Sequence, residues 1–154
     1  MTAEPARVLL VGFQDQDNLG LRYLASSLRA EGHEPRIESF GPDEAPIVGV
    51  ARSWQPDVVG FSLIFQFMAP EFGRVIAALR AAGVDAHITI GAHYASFAPE
   101  TLLELIPELD SVVRFEGEHT IVELATRGVQ ILGRVGGGGA CSADCAVASA
   151  SPVW

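Results

Sequence analysis

The chain has 154 residues, a net charge of −9 and 49% hydrophobic residues, the profile of one globular domain with a single core. All ten basic residues are arginine and lysine is absent, which excludes lysine Schiff-base chemistry and a phosphate-gripping Walker lysine. No basic stripe is present for nucleic acid, and no apolar run approaches the roughly 18 residues of a membrane span.

Taken in chain order, short β-branched runs alternate with amphipathic stretches. Residues 7–12 (Arg-Val-Leu-Leu-Val-Gly) read as a fully buried strand. Residues 19–31 read as a helix with Leu21, Leu24 and Leu28 on one side and Gly32 as its stop. A second strand over 34–40 holds Ile37 and Phe40, and a helix over 43–55 starts at an acidic cap and is closed by Pro56. Residues 58–64 form the third, central strand. Residues 69–82 follow as a helix with Phe72, Val75, Ile76 and Leu79 on one face. A fourth strand over 87–91, a helix over 99–109 and a fifth strand over 111–115 lead into a last helix ending near Arg127. This alternation predicts a flavodoxin-like (Rossmann-like), doubly wound, five-stranded parallel α/β sheet over residues 1–127. Residues 128–154 carry four successive glycines, Gly136 to Gly139, and little periodicity. A flexible Gly/Ala/Ser/Cys tail is expected there.

The N-terminus shows no hydrophobic signal region, so a cytoplasmic protein is expected. The only two cysteines, Cys141 and Cys145, make no disulfide framework and agree with a reducing compartment.

In an open α/β sheet, ligands bind beyond the carboxyl ends of the strands, where the strand order reverses. Three motifs stand at such ends: Asp15-Gln16-Asp17-Asn18-Leu19-Gly20, Ser62-Leu63-Ile64 and Gly91-Ala92. The first two are separated by 41 residues (21–61) and the last two by 26 (65–90). In motif and spacing the sequence resembles cobalamin-binding domains, which carry an Asp-x-His-x-x-Gly loop, a Ser-x-Leu strand end and a Gly-Gly strand end. The resemblance covers residues 7–127. It extends to the N-terminal module of cobalamin-dependent radical SAM enzymes through Val59-Gly60-Phe61-Ser62-Leu63, Ile90-Gly91-Ala92-His93-Tyr94-Ala95 and Val113-Arg114-Phe115-Glu116-Gly117-Glu118.

The resemblance implies cobalamin, with its cobalt, as the cofactor. The residues it brings to the ligand are Asp15, Asp17, Asn18 and Gly20 from the first loop, and Ser62, Leu63, Ile64, Phe65 and Gln66 after the third strand. Gly91, Ala92, His93 and Tyr94 follow from the fourth strand end, and Glu116, Gly117 and Glu118 from the fifth. Gly20 lets the loop approach the ligand, and Gly91 with Ala92 leaves a slot for the nucleotide tail. The Ser62 hydroxyl bonds either the tail or the backbone. Phe65, Phe67 and Met68 serve either as a surface under the corrin or as core. Glu116 and Glu118 meet ribose hydroxyls or simply charge a helix start, and Arg114 pairs with one of them. His93 reads as a surface or hydrogen-bonding residue, and His33 and His87 as structural.

Asp17 stands where many members have the histidine that ligates cobalt, so base-off/His-off binding and no protein metal ligand are implied. Function follows as the cofactor module of a methyltransferase-type radical SAM system, with no catalysis by this chain alone. The iron–sulfur cluster and S-adenosylmethionine then belong to a full-length or partner protein, a radical SAM barrel acting in trans. The alternative is a standalone cobalamin carrier or regulatory module. Cys141 and Cys145 match the first two positions of the radical SAM Cys-x3-Cys-x2-Cys motif, while Ala148 takes the third. The tail thus reads as a remnant of the start of such a domain.

Competing classes lack their chemistry. A phosphorylated receiver needs an Asp ending the third strand and a Lys ending the fifth, where Ser62 and Phe115 stand. A flavodoxin needs a hydroxyl-rich first loop, and residues 13–20 contain no Ser or Thr. The dinucleotide Gly-x-Gly-x-x-Gly is absent.

Overall fold

The apolar run that opens the chain is strand β1 (Arg7–Gly12), buried at every position after the first. The computed structural model describes residues 4–14, 18–115, 117–131 and 145–147, with residues 128–131 and 145–147 as backbone alone. After β1 come α1 (Leu19–Ala30), β2 (Glu34–Ser39), α2 (Ala45–Trp54) and β3 (Val58–Ser62). A 3-10 turn (Gln66–Met68) then leads into α3 (Ala69–Ala81) and β4 (His87–Gly91). The remaining elements are α4 (His93–Phe97), α5 (Pro99–Leu105), β5 (Ser111–Val113), α6 (Gly117–Ile131) and β6 (Cys145–Val147).

The sheet order is β2-β1-β3-β4-β5-β6. The first five strands are parallel, which is the flavodoxin-like arrangement with its switch point between β1 and β3. The elements differ from the sequence reading in several places. The helix expected over 99–109 is α5, which starts at Pro99 but ends at Leu105, and a further short helix, α4, precedes it over His93–Phe97. The third strand stops at Ser62, so Leu63 and Ile64 lie beyond it, and α6 runs to Ile131 rather than ending near Arg127. Within the segment expected as a tail, Cys145–Val147 pairs antiparallel with β5, Val113 opposite Cys145 and Ser111 opposite Val147. Cys141 and Ala148 lie outside the described residues. No described helix is long and apolar enough to cross a membrane.

Side chains alternate across the sheet, and the two faces are packed differently. On one face Leu9, Val11, Val59, Phe61, Ile88 and Ile90 build a large core with residues of α2, α3 and α5, including Ile47, Phe72 and Leu102. On the other, Val8, Leu10 and Val58 pack against Leu21, Ala25 and Leu28 of α1 and Ile121 and Ala125 of α6. Toward the carboxyl ends of β3 and β4 that second face carries only Gly60, Ser62, Thr89 and Gly91. The bulky residues fall on the first face, and the room is left on the second.

A polar column runs beneath that room. The Ser111 hydroxyl donates to Thr89 Oγ1 at 2.8 Å, and Thr89 donates to the Ser111 carbonyl at 3.2 Å. Ser111 Oγ therefore accepts from His87, whose Nε2 lies 2.8 Å away. Burial pushes the His87 pKa below its usual value of 6.5, and Arg80 adds to this while Asp110 opposes it. A folded-state pKa below the unfolded one means that this stabilisation is complete above 6.5 and is lost as pH falls below that value toward the folded pKa. Urea denaturation at pH 8 and pH 5 should therefore show a larger loss in the wild type than in His87→Gln. Equal losses would show that His87 does not contribute.

Candidate functional site

A cavity of about 280 Å³ opens at the carboxyl ends of β1, β3 and β4, between the N-terminal turns of α1 and α6. Its floor is Leu10, Gly60 and Thr89, and Leu21 and Ile121 wall it. A Cβ on Gly60 would sit 3.3 Å from Leu10 Cδ2 and 3.6 Å from Ile121 Cδ1, so any larger side chain there closes the floor. The wall is set one strand away: a Cβ on Gly12 would lie 2.9 Å from Leu21 Cδ1 and 3.2 Å from Ser62 Cβ. Gly12 thus fixes how closely α1 approaches β3. Sequence reasoning missed Gly12, Gly60 and Thr89 as site-shaping residues. The available signal was two glycines and a threonine interrupting buried strands on one alternating face.

Ser62, Gly91 and Ala92 stand at the mouth. The Ser62 side chain makes no hydrogen bond among the described residues, so its hydroxyl is open to a guest. Ala92 has φ 83° and ψ −165°, a region that only glycine occupies without cost. The second glycine's replacement is therefore a backbone matter as well as an added methyl group. Ala92→Gly should raise stability by about 1 kcal/mol, the strain relieved less the entropy glycine adds to the unfolded chain. A urea midpoint no higher than wild type would refute this.

From the first loop, Gly20 borders the cavity in the first turn of α1. Asn18 caps that helix: its Oδ1 accepts from the Leu21 amide at 3.2 Å and its Nδ2 donates to the Phe13 carbonyl at 3.1 Å. Its amide is thus committed to shaping the loop. Asp15, Asp17 and Glu116 lie outside the described residues. Gly117 and Glu118, opening α6, also border the cavity, and a Cβ on Gly117 would lie 3.4 Å from Leu24 Cδ2 of α1.

The structure does not bring all the expected residues together. Leu63 is fully buried in the core on the opposite face, because the residue after Ser62 points away from it. Tyr94 packs against that same core. Ile64, Phe65 and Gln66 are exposed beyond the strand end, with the rings of Phe65 and Phe67 stacked at 5.6 Å. His93 is exposed, its ring 6.0 Å from Phe97, and Met68 is half-buried against the core. Arg114 lies with its guanidinium over the Phe115 ring, 5.0 Å from its centre. Phe115 itself borders the cavity and was not among the expected site residues. Among the described residues no group of three His, Cys, Asp or Glu side chains gathers to hold a metal ion.

These features, a floor left open at Gly60, a hydroxyl without a partner among the described residues and two helix N-termini at the mouth, suit a long ligand with an anionic link. Comparison with known proteins points the same way. The chain is 34% identical over 102 residues to the hopanoid C-3 methylase of Methylococcus capsulatus, covering 65% of this chain and 20% of that one. It is 29% identical over 123 residues to an uncharacterized methyltransferase of Pyrococcus horikoshii, covering 77% and 27%. A cytidylyl-2-hydroxyethylphosphonate methyltransferase of Streptomyces wedmorensis is 29% identical over 124 residues, covering 68% and 23%. The chain therefore spans only about a quarter or less of the length of these curated relatives.

Among solved structures, the cobalamin-dependent S-adenosylmethionine radical enzyme OxsB aligns with a TM-score of 0.68 at 24% identity, over 85% of this chain and 19% of that one. A cobalamin-binding protein from Desulfitobacterium hafniense aligns at 0.67 and 18% identity, over 81% and 60%. The receiver domain of NarL from Mycobacterium tuberculosis aligns at 0.58 and 17%, over 82% and 98%, so the fold alone does not separate these classes. The sequence does: the family profile described as the B12 binding domain matches residues 8–125, and the chain belongs to that family.

Proposed function

We propose that the chain holds cobalamin, base-off and His-off, as the cofactor module of a methyltransferase-type radical SAM system. The observation that carries this reading is the cavity under Ser62 and Gly91, whose floor at Gly60 has no side chain. In this reading the nucleotide tail enters between α1 and α6. The Ser62 hydroxyl bonds its base, Gly91 leaves space beside Val113, and the amides opening α6 meet its polar groups. The exposed Phe65 and Phe67 rings lie under the corrin. Bound cobalamin supplies a cobalt centre that carries a methyl group. The iron–sulfur cluster and S-adenosylmethionine belong to a radical SAM barrel working with this module. The methyltransferase names of the relatives support that setting.

The His-off assignment rests on Asp17. A carboxylate buried bare beneath the corrin would cost several kcal/mol, so Asp17 is not expected to take the place of the ligating histidine. The test is reconstitution with hydroxocobalamin followed by gel filtration. Stoichiometric corrinoid should co-elute with the protein, and a colourless but folded protein would refute binding. Electron paramagnetic resonance of the reduced Co(II) form should show no axial-nitrogen triplet. Nitrogen splitting would overturn the base-off/His-off mode while leaving binding intact.

A further inference from the structure

Phe115 follows β5 in a left-handed conformation, φ 57°, which a bulky side chain adopts only at a cost. Glycine would make the same turn freely. The fold gains little in return, because Phe115 is 61% exposed. The turn is nevertheless held in place. The Phe115 amide donates to Ser96 Oγ at 2.7 Å, tying it to α4. The Arg114 guanidinium lies 5.0 Å from the ring centre, and its Nε is buried without a hydrogen-bond partner among the described residues. One face of the ring is thus covered by a cation, while the ring borders the mouth of the cavity together with Ala92 and Gly117. A strained, anchored aromatic ring that packs little of its own protein is placed for a flat guest.

We propose that Phe115 is a specificity-determining residue that stacks on the base of the corrinoid's nucleotide tail. This rests on the reading that the cavity takes that tail. A planar base entering between α1 and α6 passes the Phe115 ring, and the guanidinium above strengthens the stack by polarising the ring. The residue then discriminates corrinoids by whether they carry an aromatic lower base, and contributes nothing to the corrin itself.

The test compares hydroxocobalamin with aquocobinamide, which has the corrin but no nucleotide, by titration of the full chain. Phe115→Gly should bind cobalamin roughly tenfold more weakly, within the range for removing one base-stacking ring. Its cobinamide affinity should match the wild type, and Phe115→Trp should keep cobalamin affinity. Phe115→Gly should also unfold at a higher urea concentration than wild type, because the strain is gone. A purely structural role predicts the reverse pairing, lower stability with both ligands weakened alike. Unchanged cobalamin affinity in Phe115→Gly, or an equal loss for both corrinoids, would overturn the proposal. If the wild type binds neither corrinoid, the cobalamin reading itself fails with it.

Discussion

Replacing Ser62 with tyrosine should weaken cobalamin binding on the order of 100-fold, equivalent to about 2.8 kcal/mol lost from association. Ser62 sits at the carboxyl end of β3 opposite Gly91 in the register, and it lines the cavity. The space over Gly12 beside it is already taken by Leu21 Cδ1 and Asn18 Nδ2, so a larger side chain has little room to turn toward β1. A tyrosine ring must therefore extend into the volume proposed for the tail. Ser62→Ala removes only a hydroxyl and should cost no more than a few-fold, roughly one ordinary hydrogen bond. Equilibrium titration with hydroxocobalamin measures both, with circular dichroism confirming that each variant is folded. Wild-type affinity in Ser62→Tyr would mean that no part of the cofactor enters the cavity.

The contrast between these two substitutions depends on which face Ser62 occupies, and that much is legible from sequence. Five strands separated by helices, of which only β2 lacks a buried run, fit the 2-1-3-4-5 order of the flavodoxin-like sheet. Alternation then sends Gly60 and Ser62 one way, and Phe61 and Leu63 the other. The motif Ser62-Leu63-Ile64 is therefore not one binding unit: alternation places Leu63 in the core. Asn18 followed by a helix is an N-cap signal in its own right. The cap uses both ends of the side-chain amide, so the residue shapes the site through the loop.

Other features were not legible because they belong to the backbone. Composition registers Ala92 as a methyl group added to a glycine motif, whereas its positive φ arises from how β4 turns into α4. Phe115 looks like the apolar end of a fifth strand, but β5 stops at Val113 and the chain has already turned. The cavity itself is a shortage of side chains on one face. It becomes visible only once Leu10, Gly60 and Thr89 are placed side by side by strand pairing.

The largest loss of stability should come from Phe72→Ala, about 4 kcal/mol by the usual cost of truncating a buried phenylalanine. Phe72 is fully buried and joins three other rings. It stacks on Phe40 at 4.1 Å and meets Phe61 at 5.8 Å and Phe13 at 6.1 Å. Truncation leaves a hole between α3 and the sheet that strands on both sides cannot close, since Phe61 and Phe40 belong to β3 and to the end of β2. A domain of this size should melt roughly 10 °C or more lower. The effect should also reach the surface. Phe13 touches Phe65 at 6.4 Å, and Phe65 stacks on Phe67, so the core ring supports the exposed pair proposed to lie under the corrin. Phe72→Leu, which keeps most of the volume, should cost only about 1 kcal/mol. Urea denaturation of the three proteins settles the stability order. Cobalamin titration of the variants, under conditions where each is folded, separates the two functions of the cluster. If Phe72→Ala loses stability but binds cobalamin as the wild type does, Phe65 and Phe67 are positioned by their own loop and the aromatic column serves the fold alone.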